Sequence, residues 1–285
     1  MQPAIWTGAY ARSPVEEALK RLHRVGWRCV EIATEHLREL RQQGSPGRIA
    51  AARAVLDELG MNAPQAHAHL SANFADDDTE RRADHLATAL EELPICAALG
   101  VETVVLHPGW SPAAGREASR QRSAQAFSRL VERAGDLAIR IAVENMATRP
   151  GEADERRFGT TIEDLFELIE VVGSPLLGIC FDTSHAHIEG MDLPEAVRAA
   201  APRLWALHIS DNDGVRDLHL HPFYGTIEWL PFLSALREIR FAEPFNLEIG
   251  GLSRPPYGGP EVQDAKCRHA LELATLMTTS ALEGK

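Results

Sequence analysis

Histidine and carboxylate side chains recur in this sequence at the ends of short apolar runs. His107 follows the run Thr103-Val104-Val105-Leu106, and Glu144 and Asp182 end two similar runs. The other side chains with this placement, or in the loop that comes next, are His67, His185, His208, Asp217, His219 and Glu248. Imidazole and carboxylate groups without thiolates are ligands that suit Zn²⁺ or Mn²⁺. The pattern therefore indicates a metal site, provided that the runs converge in space.

Each of these residues also has an ordinary structural interpretation. A single histidine at a strand end is more often a hydrogen-bonded structural residue, and an Asp-Thr pair is more often a helix cap. The set as a whole favours metal binding. Burial of Glu144, Asp182 and Glu248 without partners would be very costly, and bound cations would offset that cost.

Eight β-rich runs alternate with eight amphipathic stretches. The pattern predicts strands over residues 4–10, 29–34, 63–70, 103–107, 139–146, 177–183, 204–210 and 245–249. It predicts helices over residues 14–25, 48–59, 79–99, 116–137, 162–172, 193–200, 227–239 and 262–282. Ser13 before Pro14 is a typical helix start, and Gly60 and Gly100 are typical helix ends.

Strict alternation of strands and helices predicts a parallel sheet in an α/β fold. Near-continuous apolar runs such as residues 103–106 are typical of strands that are buried on both faces. Eight βα units predict a (β/α)₈ TIM barrel, with residues 1–285 forming a single domain. A doubly wound open sheet is the alternative, but no glycine-rich phosphate loop follows the first strand. In a barrel the strand ends meet at one mouth, where catalytic groups lie.

The composition limits the class of partner. The chain has 29 Lys and Arg residues against 41 Asp and Glu residues, a formal net charge of −12, which argues against a protein that mainly coats nucleic acid or anionic membrane. We find no transmembrane helix and no secretory signal, so no membrane partner is expected. Cys29, Cys96, Cys180 and Cys267 are far apart in sequence, which indicates buried thiols in a reducing cytoplasm rather than disulfides or a zinc ribbon.

One segment resembles a known signature. The run Gly178-Ile179-Cys180-Phe181-Asp182-Thr183-Ser184-His185 and its continuation to Asp192 are similar to the endonuclease IV pattern. Supporting segments are His107-Pro108-Gly109, Val143-Glu144-Asn145, and Asp217-x-His219 followed by Gly225-Thr226-Ile227. The chain therefore resembles the xylose isomerase-like TIM-barrel superfamily (AP endonuclease family 2), which includes endonuclease IV and many sugar and sugar-phosphate isomerases and epimerases.

The resemblance implies a specific set of ligands. The endonuclease IV branch holds three metals, and its ligands fall on His67, His107, Glu144, Asp182, His185, His208, Asp217, His219 and Glu248 of this chain. His67 and His107 would hold one metal, with Glu144 as a bridge to a second. Asp182, His208 and Glu248 would hold that second metal, and His185, Asp217 and His219 a third. The isomerase and epimerase branch uses one metal on Glu144, Asp182, His208 and Glu248, and its counterpart of His185 often contacts substrate. His67, His107, Asp217 and His219 therefore discriminate between the branches.

The chain also departs from both branches. Thr7-Gly8-Ala9-Tyr10 stands where endonuclease IV usually has Gly-Ala-His, His69-Leu70 stands where it has Pro-Tyr, and Asn212-Asp213 where it has Ser-Lys. These differences disfavour DNA as the substrate. At the two positions where the epimerase pattern expects an arginine and a further acid, this chain has Gly214 and Pro150.

Two enzymatic functions follow. A phosphoester hydrolase would use clustered Zn²⁺ or Mn²⁺ ions on a sugar phosphate or a nucleotide-like substrate, with abasic DNA as an alternative. A sugar or sugar-phosphate isomerase or epimerase would use one metal, with Glu144 and Glu248 exchanging a proton next to a carbonyl. We favour hydrolysis because of the number of ligands. Glu144, Glu248 and His185 are the candidate catalytic residues.

Residues close to the ligands are candidates for contact with substrate. They are His69, Trp110, Arg149, His187 and Tyr224, with Arg156 and Arg157 as further candidates for contact with phosphate. The alternative roles are a hydrogen-bonded or surface position for the histidines, core packing for the aromatic residues and a solvated loop for the arginines. A non-catalytic barrel that keeps metals for stability is a third function, but an open ligand set argues against it because structural metal sites are usually closed.

Overall fold

The computed structural model describes residues 1–43, 46–148, 156–249 and 259–279. Its strands are β1 (Pro3–Trp6), β2 (Cys29–Ile32), β3 (Asn62–His67), β4 (Thr103–Leu106), β5 (Arg140–Glu144), β6 (Leu177–Asp182), β7 (Leu204–His208) and β8 (Phe245–Leu247). Its α-helices are α1 (Val15–Val25), α2 (Thr34–Gln43), α3 (Pro46–Leu59), α4 (Thr79–Leu99), α5 (Gly115–Asp136), α6 (Ile162–Val172), α7 (Thr183–Ile188), α8 (Leu193–Ala200), α9 (Trp229–Glu238) and α10 (Gly259–Thr278). Two short 3₁₀ helices cover Thr7–Tyr10 and Ala201–Arg203.

The eight strands form one parallel sheet that closes on itself. Strands adjacent in sequence are neighbours from β1 to β7, and β8 pairs with β1. The circle closes where Ile209 and Leu247 form a parallel bridge. The Ile209 N–H donates to the Asn246 carbonyl at 2.9 Å, and the Glu248 N–H donates to the Ile209 carbonyl at 3.1 Å. The prediction of a single-domain (β/α)₈ TIM barrel is confirmed.

The strands carry two alternating sets of side chains. Val105, Ala142, Cys180 and Ala206 form a small buried cluster that is separate from the main apolar core. Because side chains alternate between the two faces of a strand, residues two positions further along project to the same side. Those residues are His107, Glu144, Asp182 and His208. The strand period therefore places the predicted ligands above the barrel interior, while the intervening residues join the main core.

Two helices lie where the sequence predicted none. α7 begins at Thr183 because the Asp182 carboxylate accepts a hydrogen bond from the His185 N–H at 2.6 Å and caps the helix, so the strand predicted to reach residue 183 ends one residue earlier. α2 occupies a stretch after β2 that was predicted to be a connection. The first strand is also shorter than predicted, since Thr7–Tyr10 form a 3₁₀ helix.

Other boundaries also differ from the predictions, and β2, β5, β7 and β8 each end two residues before the predicted end. β3 ends at His67, and His69 has φ 35°, a left-handed conformation that a strand cannot contain. The last helix begins three residues before the predicted residue 262 and ends at Thr278. The predicted residues 280–282 of that helix lie outside the described residues.

All four cysteines are buried and unpaired, in agreement with the prediction of buried thiols. Within the described residues, none of the helices combines the length and the apolar character needed to cross a membrane.

Gly109 lies where the loop after β4 passes against the segment after β3. A Cβ there would lie 2.1 Å from the Ala75 nitrogen and 2.6 Å from the Ala75 Cβ. We expect Gly109→Ala to lower the free energy of unfolding by about 1–3 kcal/mol, the range for overpacking a buried position, as measured by urea denaturation. In the control Gly135→Ala, the new Cβ would meet Leu176 Cδ1 at 3.4 Å, so a change of less than about 1 kcal/mol is expected. Equal stability of Gly109→Ala and wild type would contradict the prediction.

Candidate metal centre

Glu144, the last residue of β5, lies at the centre of a group of histidines. Its Oε2 atom is 3.2 Å from His67 Nε2, 3.3 Å from His107 Nε2 and 3.1 Å from His208 Nδ1. Its Oε1 atom is 3.2 Å from His185 Nδ1. These histidines belong to β3, the loop after β4, β7 and α7, so one carboxylate joins five parts of the barrel mouth.

The remaining predicted ligands extend this cluster in two directions. His208 Nδ1 is 3.3 Å from Glu248 Oε2, at the end of β8. On the other side, His185 Nε2 is 3.5 Å from Asp217 Oδ2, and His219 Nε2 is 3.0 Å from Asp217 Oδ1. The cluster therefore runs continuously from His67 and His107 through Glu144 to the loop after β7.

The possible ligand atoms fall into groups whose members lie within 4.8 Å of one another. Three of these groups are His67, His107 and Glu144; Glu144, Asp182, His208 and Glu248; and His185, Asp217 and His219. This grouping is the one that the resemblance to endonuclease IV implies, with Glu144 shared by two groups.

Several buried polar atoms of the cluster have unused bonding capacity. Glu144 Oε2, Asp182 Oδ2 and His208 Nδ1 are buried and have no hydrogen-bond partner of suitable geometry in the described part of the chain. Buried polar atoms normally have such partners, and leaving them unpaired is costly. Lone pairs of carboxylate and imidazole directed at one another are what a divalent cation requires. The residues present therefore fit one or more such cations.

Cys180 also lies within reach of Glu144 and His208. Burial raises the pKa of its thiol, and its side chain packs with Val105, Ala142 and Ala206, one layer below the ligands. We therefore treat Cys180 as part of the apolar floor beneath the cluster.

The protonation of the cluster is uneven. Burial raises the pKa of Asp182 to about 7, and the charges of Glu144 and Glu248 add to this shift while His185 opposes it. Burial lowers the pKa of His107 to about 4. Burial alone would raise the pKa of Glu144, but the nearby His208 and His107 hold it well below its usual range. Protons and a divalent cation would compete for these atoms, so metal binding should depend on pH.

Asp211 folds the loop that follows β7. Its Oδ1 atom accepts hydrogen bonds from the N–H groups of Asn212 at 2.9 Å and Ile227 at 3.1 Å. Its Oδ2 atom accepts from the Phe223 N–H at 3.0 Å and from the Trp229 indole N–H at 3.0 Å. One buried carboxylate thus bonds to the first residue of this loop, to Phe223 and Ile227 near its end, and to Trp229 just beyond it.

The loop held by Asp211 carries Asp217 and His219 to the barrel mouth. Ser184 Oγ donates to Asp217 Oδ1 at 2.9 Å. His219 Nδ1 lies 2.9 Å from the Glu248 carbonyl oxygen, so it donates there and turns Nε2 towards Asp217. Both side chains are therefore oriented by the protein before any cation binds.

The cluster forms the floor of a cleft of about 550 Å³. Its described lining includes Trp6, Asn73, His107, Trp110, Glu144, Met146, Arg157, His185, Asp217, His219 and Glu248. This volume is within the usual range for a small-molecule site, about 300–1,000 Å³. The lining contains all three candidate catalytic residues. It also contains Trp110 and Arg157, which the sequence had placed near the substrate.

The other candidate substrate contacts have different surroundings. His69 Nε2 is 3.0 Å from His85 Nδ1, and His187 Nε2 is 2.9 Å from Thr226 Oγ1. Neither histidine belongs to the described lining of the cleft. Arg149 lies outside the described residues.

Two more of these residues make contacts away from the ligand cluster. The Tyr224 hydroxyl is 3.0 Å from His269 Nε2, and its side chain is largely exposed. Arg156 NH2 is 3.4 Å from Asp164 Oδ1, an ion pair at the start of α6. The structure therefore brings the nine metal-ligand candidates together, but only some of the proposed substrate contacts.

Three buried polar residues beneath the cluster escaped the sequence analysis. Glu31 of β2 lies 3.0 Å from His208 Nε2, and Gln65 and Asn246 donate to the Glu31 carboxylate. The sequence feature that could have indicated Glu31 is a glutamate inside the otherwise apolar run Cys29-Val30-Glu31-Ile32. A glutamate in a strand is also compatible with a solvent-facing position, so the run alone did not indicate its role.

Residues 19–269 match the model of the family described as xylose isomerase-like TIM barrel. Because this match covers most of the chain, the protein belongs to that family. Its curated relatives include proteins named as probable endonucleases, and solved structures titled as sugar epimerases share its fold.

Curated relatives carry the name "Probable endonuclease 4". The protein from Methanoculleus marisnigri is 30% identical over 181 residues, 59% of this chain and 62% of its own length. The protein from Geobacter sulfurreducens is 28% identical over 244 residues, 80% of this chain and 81% of its own. The match to the first spans less than two thirds of that relative.

Solved structures share the fold at lower sequence identity. A D-tagatose 3-epimerase-like protein superposes with a TM-score of 0.79 at 22% identity, covering 99% of this chain and 100% of its own. The IOLI protein with a bound zinc atom has a TM-score of 0.80 at 20% identity, and each chain is covered to 100%.

Replacement of Asp211 should loosen the loop that carries Asp217 and His219. In Asp211→Asn, the amide NH₂ would face two N–H donors whichever way it is turned, so at least two hydrogen bonds are lost. We expect hydrogen–deuterium exchange in residues 212–226 to become at least about tenfold faster, equivalent to about 1.4 kcal/mol of local stability.

The control for this experiment is Asp213→Asn in the same loop. Asp213 bonds only to Val215 and Arg216 among the contacts described, and the change should leave exchange close to wild type. Equal exchange in Asp211→Asn and Asp213→Asn would contradict the role assigned to Asp211.

Proposed function

We propose that this protein is a metal-dependent phosphoester hydrolase that uses up to three Zn²⁺ or Mn²⁺ ions. The observation that carries the proposal is the group formed by His185, Asp217 and His219, beside the four-residue group that an isomerase would need. His67 and His107 form a further group with Glu144. An enzyme that needs one cation has no evident use for these two additional groups.

Cations held in these groups would supply hydroxide near neutral pH and neutralise charge on the phosphate oxygens. Glu144 and Glu248 line the cleft, and their carboxylates would hold the cations that activate the attacking water. His185 also lines the cleft, and its Nδ1 lies 2.9 Å from the Asn145 carbonyl oxygen, so Nε2 faces Asp217 and the group that His219 completes. These three residues are the proposed catalytic residues.

The cleft suggests the size and charge of the substrate. Its volume of about 550 Å³ suits a sugar phosphate or a nucleotide-like molecule. Arg157 lies in the lining and offers a guanidinium group to a phosphate, and Trp110 offers an aromatic face. The net charge of −12 disfavours the long basic surface that duplex DNA would need, so abasic DNA is the less favoured substrate.

A sugar isomerase or epimerase is the second candidate function. Glu144 Oε2 and Glu248 Oε2 lie 3.1 Å and 3.3 Å from the same atom, His208 Nδ1. Both carboxylates also line the cleft, and removal and return of a proton next to a carbonyl needs two such groups close to the substrate. The epimerase structures that share the fold support this candidate only at the level of the fold.

The four buried, unpaired cysteines are consistent with a reducing compartment, so we propose that the protein acts in the cytoplasm.

Metal stoichiometry separates the two functions. For the wild-type protein we expect three metals per chain, as measured by inductively coupled plasma mass spectrometry after dialysis. His219→Ala should hold one metal fewer because its group loses a ligand. The control His23→Ala, in α1 and away from the cluster, should match wild type. A single metal per chain that is unchanged in His219→Ala would favour the isomerase function.

An activity screen tests the same distinction. We expect the metal-loaded enzyme to hydrolyse a chromogenic phosphodiester and to leave a free ketohexose unchanged. Loss of the third cation in His219→Ala should reduce hydrolysis by at least about 100-fold, since such an ion contributes several kcal/mol to charge stabilisation. Epimerisation of the ketohexose at equal rates in wild type and His219→Ala would reject the hydrolase proposal. Glu144→Gln should abolish either activity.

A further inference from the structure

Glu31 of β2 is a fully buried carboxylate beneath the candidate metal centre. Its Oε1 atom lies 3.0 Å from His208 Nε2 and accepts a hydrogen bond from Gln65 Nε2 at 2.8 Å. Its Oε2 atom accepts a hydrogen bond from Asn246 Nδ2 at 2.7 Å. A buried carboxylate is costly unless it is hydrogen-bonded and paired with a positive charge. Of these three partners, the two amides are neutral, and only the His208 imidazole can carry a charge.

His208 is oriented in the opposite sense to two other histidines of the cluster. His185 and His219 place Nδ1 2.9 Å from a main-chain carbonyl oxygen and turn Nε2 towards the site. His208 instead turns Nε2 towards Glu31 and directs Nδ1 at Glu144 Oε2, 3.1 Å away. The atom that His208 can offer to a cation is therefore Nδ1.

We propose that Glu31 is a positioning residue for the central metal site formed by Glu144, Asp182, His208 and Glu248. An ionised carboxylate only accepts hydrogen bonds, so His208 Nε2 must donate to Glu31, and Nδ1 is the nitrogen left to bind a cation. That Nδ1 atom is buried and has no hydrogen-bond partner of suitable geometry within the described residues. An anionic partner also makes the imidazole a stronger ligand than a neutral carbonyl would.

This inference rests on the metal-dependent part of the proposed function, because it assigns a role towards the central site. That site belongs to both the hydrolase and the isomerase candidates. The inference therefore does not depend on which reaction the enzyme catalyses.

Glu31→Gln is a suitable variant because the surrounding amides can adapt to it. Gln65 Oε1 and Asn246 Oδ1 have no hydrogen-bond partner in the described part of the chain. Either side-chain amide can rotate and accept a hydrogen bond from the new NH₂ group, so the variant should fold. What it removes is the negative charge next to His208 and the requirement that Nε2 carries the proton.

The experiment titrates metal-free protein with Zn²⁺ in competition with a chromogenic chelator. We expect Glu31→Gln to lose about 10–100-fold in affinity at one site, the usual effect of removing such a partner, with the other sites unchanged. The control Glu92→Gln removes another buried carboxylate, one that bonds to the His69 N–H and Arg41 and lies outside the ligand groups. It should bind Zn²⁺ as wild type does.

The outcomes are distinguishable. Wild-type affinity at every site in Glu31→Gln would overturn the inference while leaving the proposed function in place. An equal loss at all sites would also overturn it, because it would mark a general structural role. Failure of the wild-type protein to bind Zn²⁺ would overturn the proposed function, and the inference with it.

A measurement on the unmodified protein covers the case in which Glu31→Gln does not fold. Nitrogen-15 NMR of the Zn²⁺-loaded wild-type protein reports which ring nitrogen of His208 carries the proton and which one binds the metal. We expect the Nε2–H form with an unprotonated Nδ1. A dominant Nδ1–H form would overturn the inference.

Discussion

The mouth of this barrel is organised by the need to compensate buried carboxylates. Glu144 lies within 3.3 Å of nitrogens from His67, His107, His185 and His208, and these contacts connect four other parts of the chain. Without positively charged or hydrogen-bonding neighbours, a carboxylate in this position would be too costly to bury. Imidazoles satisfy it only in part, because some oxygen and nitrogen atoms remain unpaired. A bound cation would pair with these atoms, so the site is suited to metal-dependent chemistry.

The support for the cluster comes from buried acids that are not themselves candidate ligands. Asp211 gathers four N–H donors and so fixes the loop that carries Asp217. The two ends of this loop also pass very close to each other. A Cβ on Gly225 would lie 2.1 Å from the Asn212 carbonyl oxygen, so only glycine fits. Glu31 lies beneath the ligands and orients the His208 ring. The ligands on strands thus gain rigidity from the barrel, whereas those on the loop depend on a dedicated anchor.

The two candidate reactions share one central group and differ in what surrounds it. Glu144, Asp182, His208 and Glu248 are compatible with both, because proton exchange next to a carbonyl and phosphoester hydrolysis can both use a cation in that position. The group with His219 is the feature that favours hydrolysis. The match of residues 19–269 to the family model places the chain in the xylose isomerase-like family, and the epimerase structures share its fold, so the choice of reaction depends on the residues of the site.

The sequence by itself determined the barrel and the candidate ligands, because strand and helix periods are local and because His107, Glu144 and Asp182 stand at visible strand ends. It did not reveal α7, since the capping of that helix by Asp182 competes with continuation of the strand, nor the role of Glu31, which looks like any polar residue in a short strand. Only the tertiary structure decided which atom of each histidine faces the site and which candidates, such as Trp110 and Tyr224, line the cleft or lie elsewhere. The physical reason is that residue type and spacing specify what a side chain can bind, whereas partners that are distant in sequence specify its orientation and its surroundings.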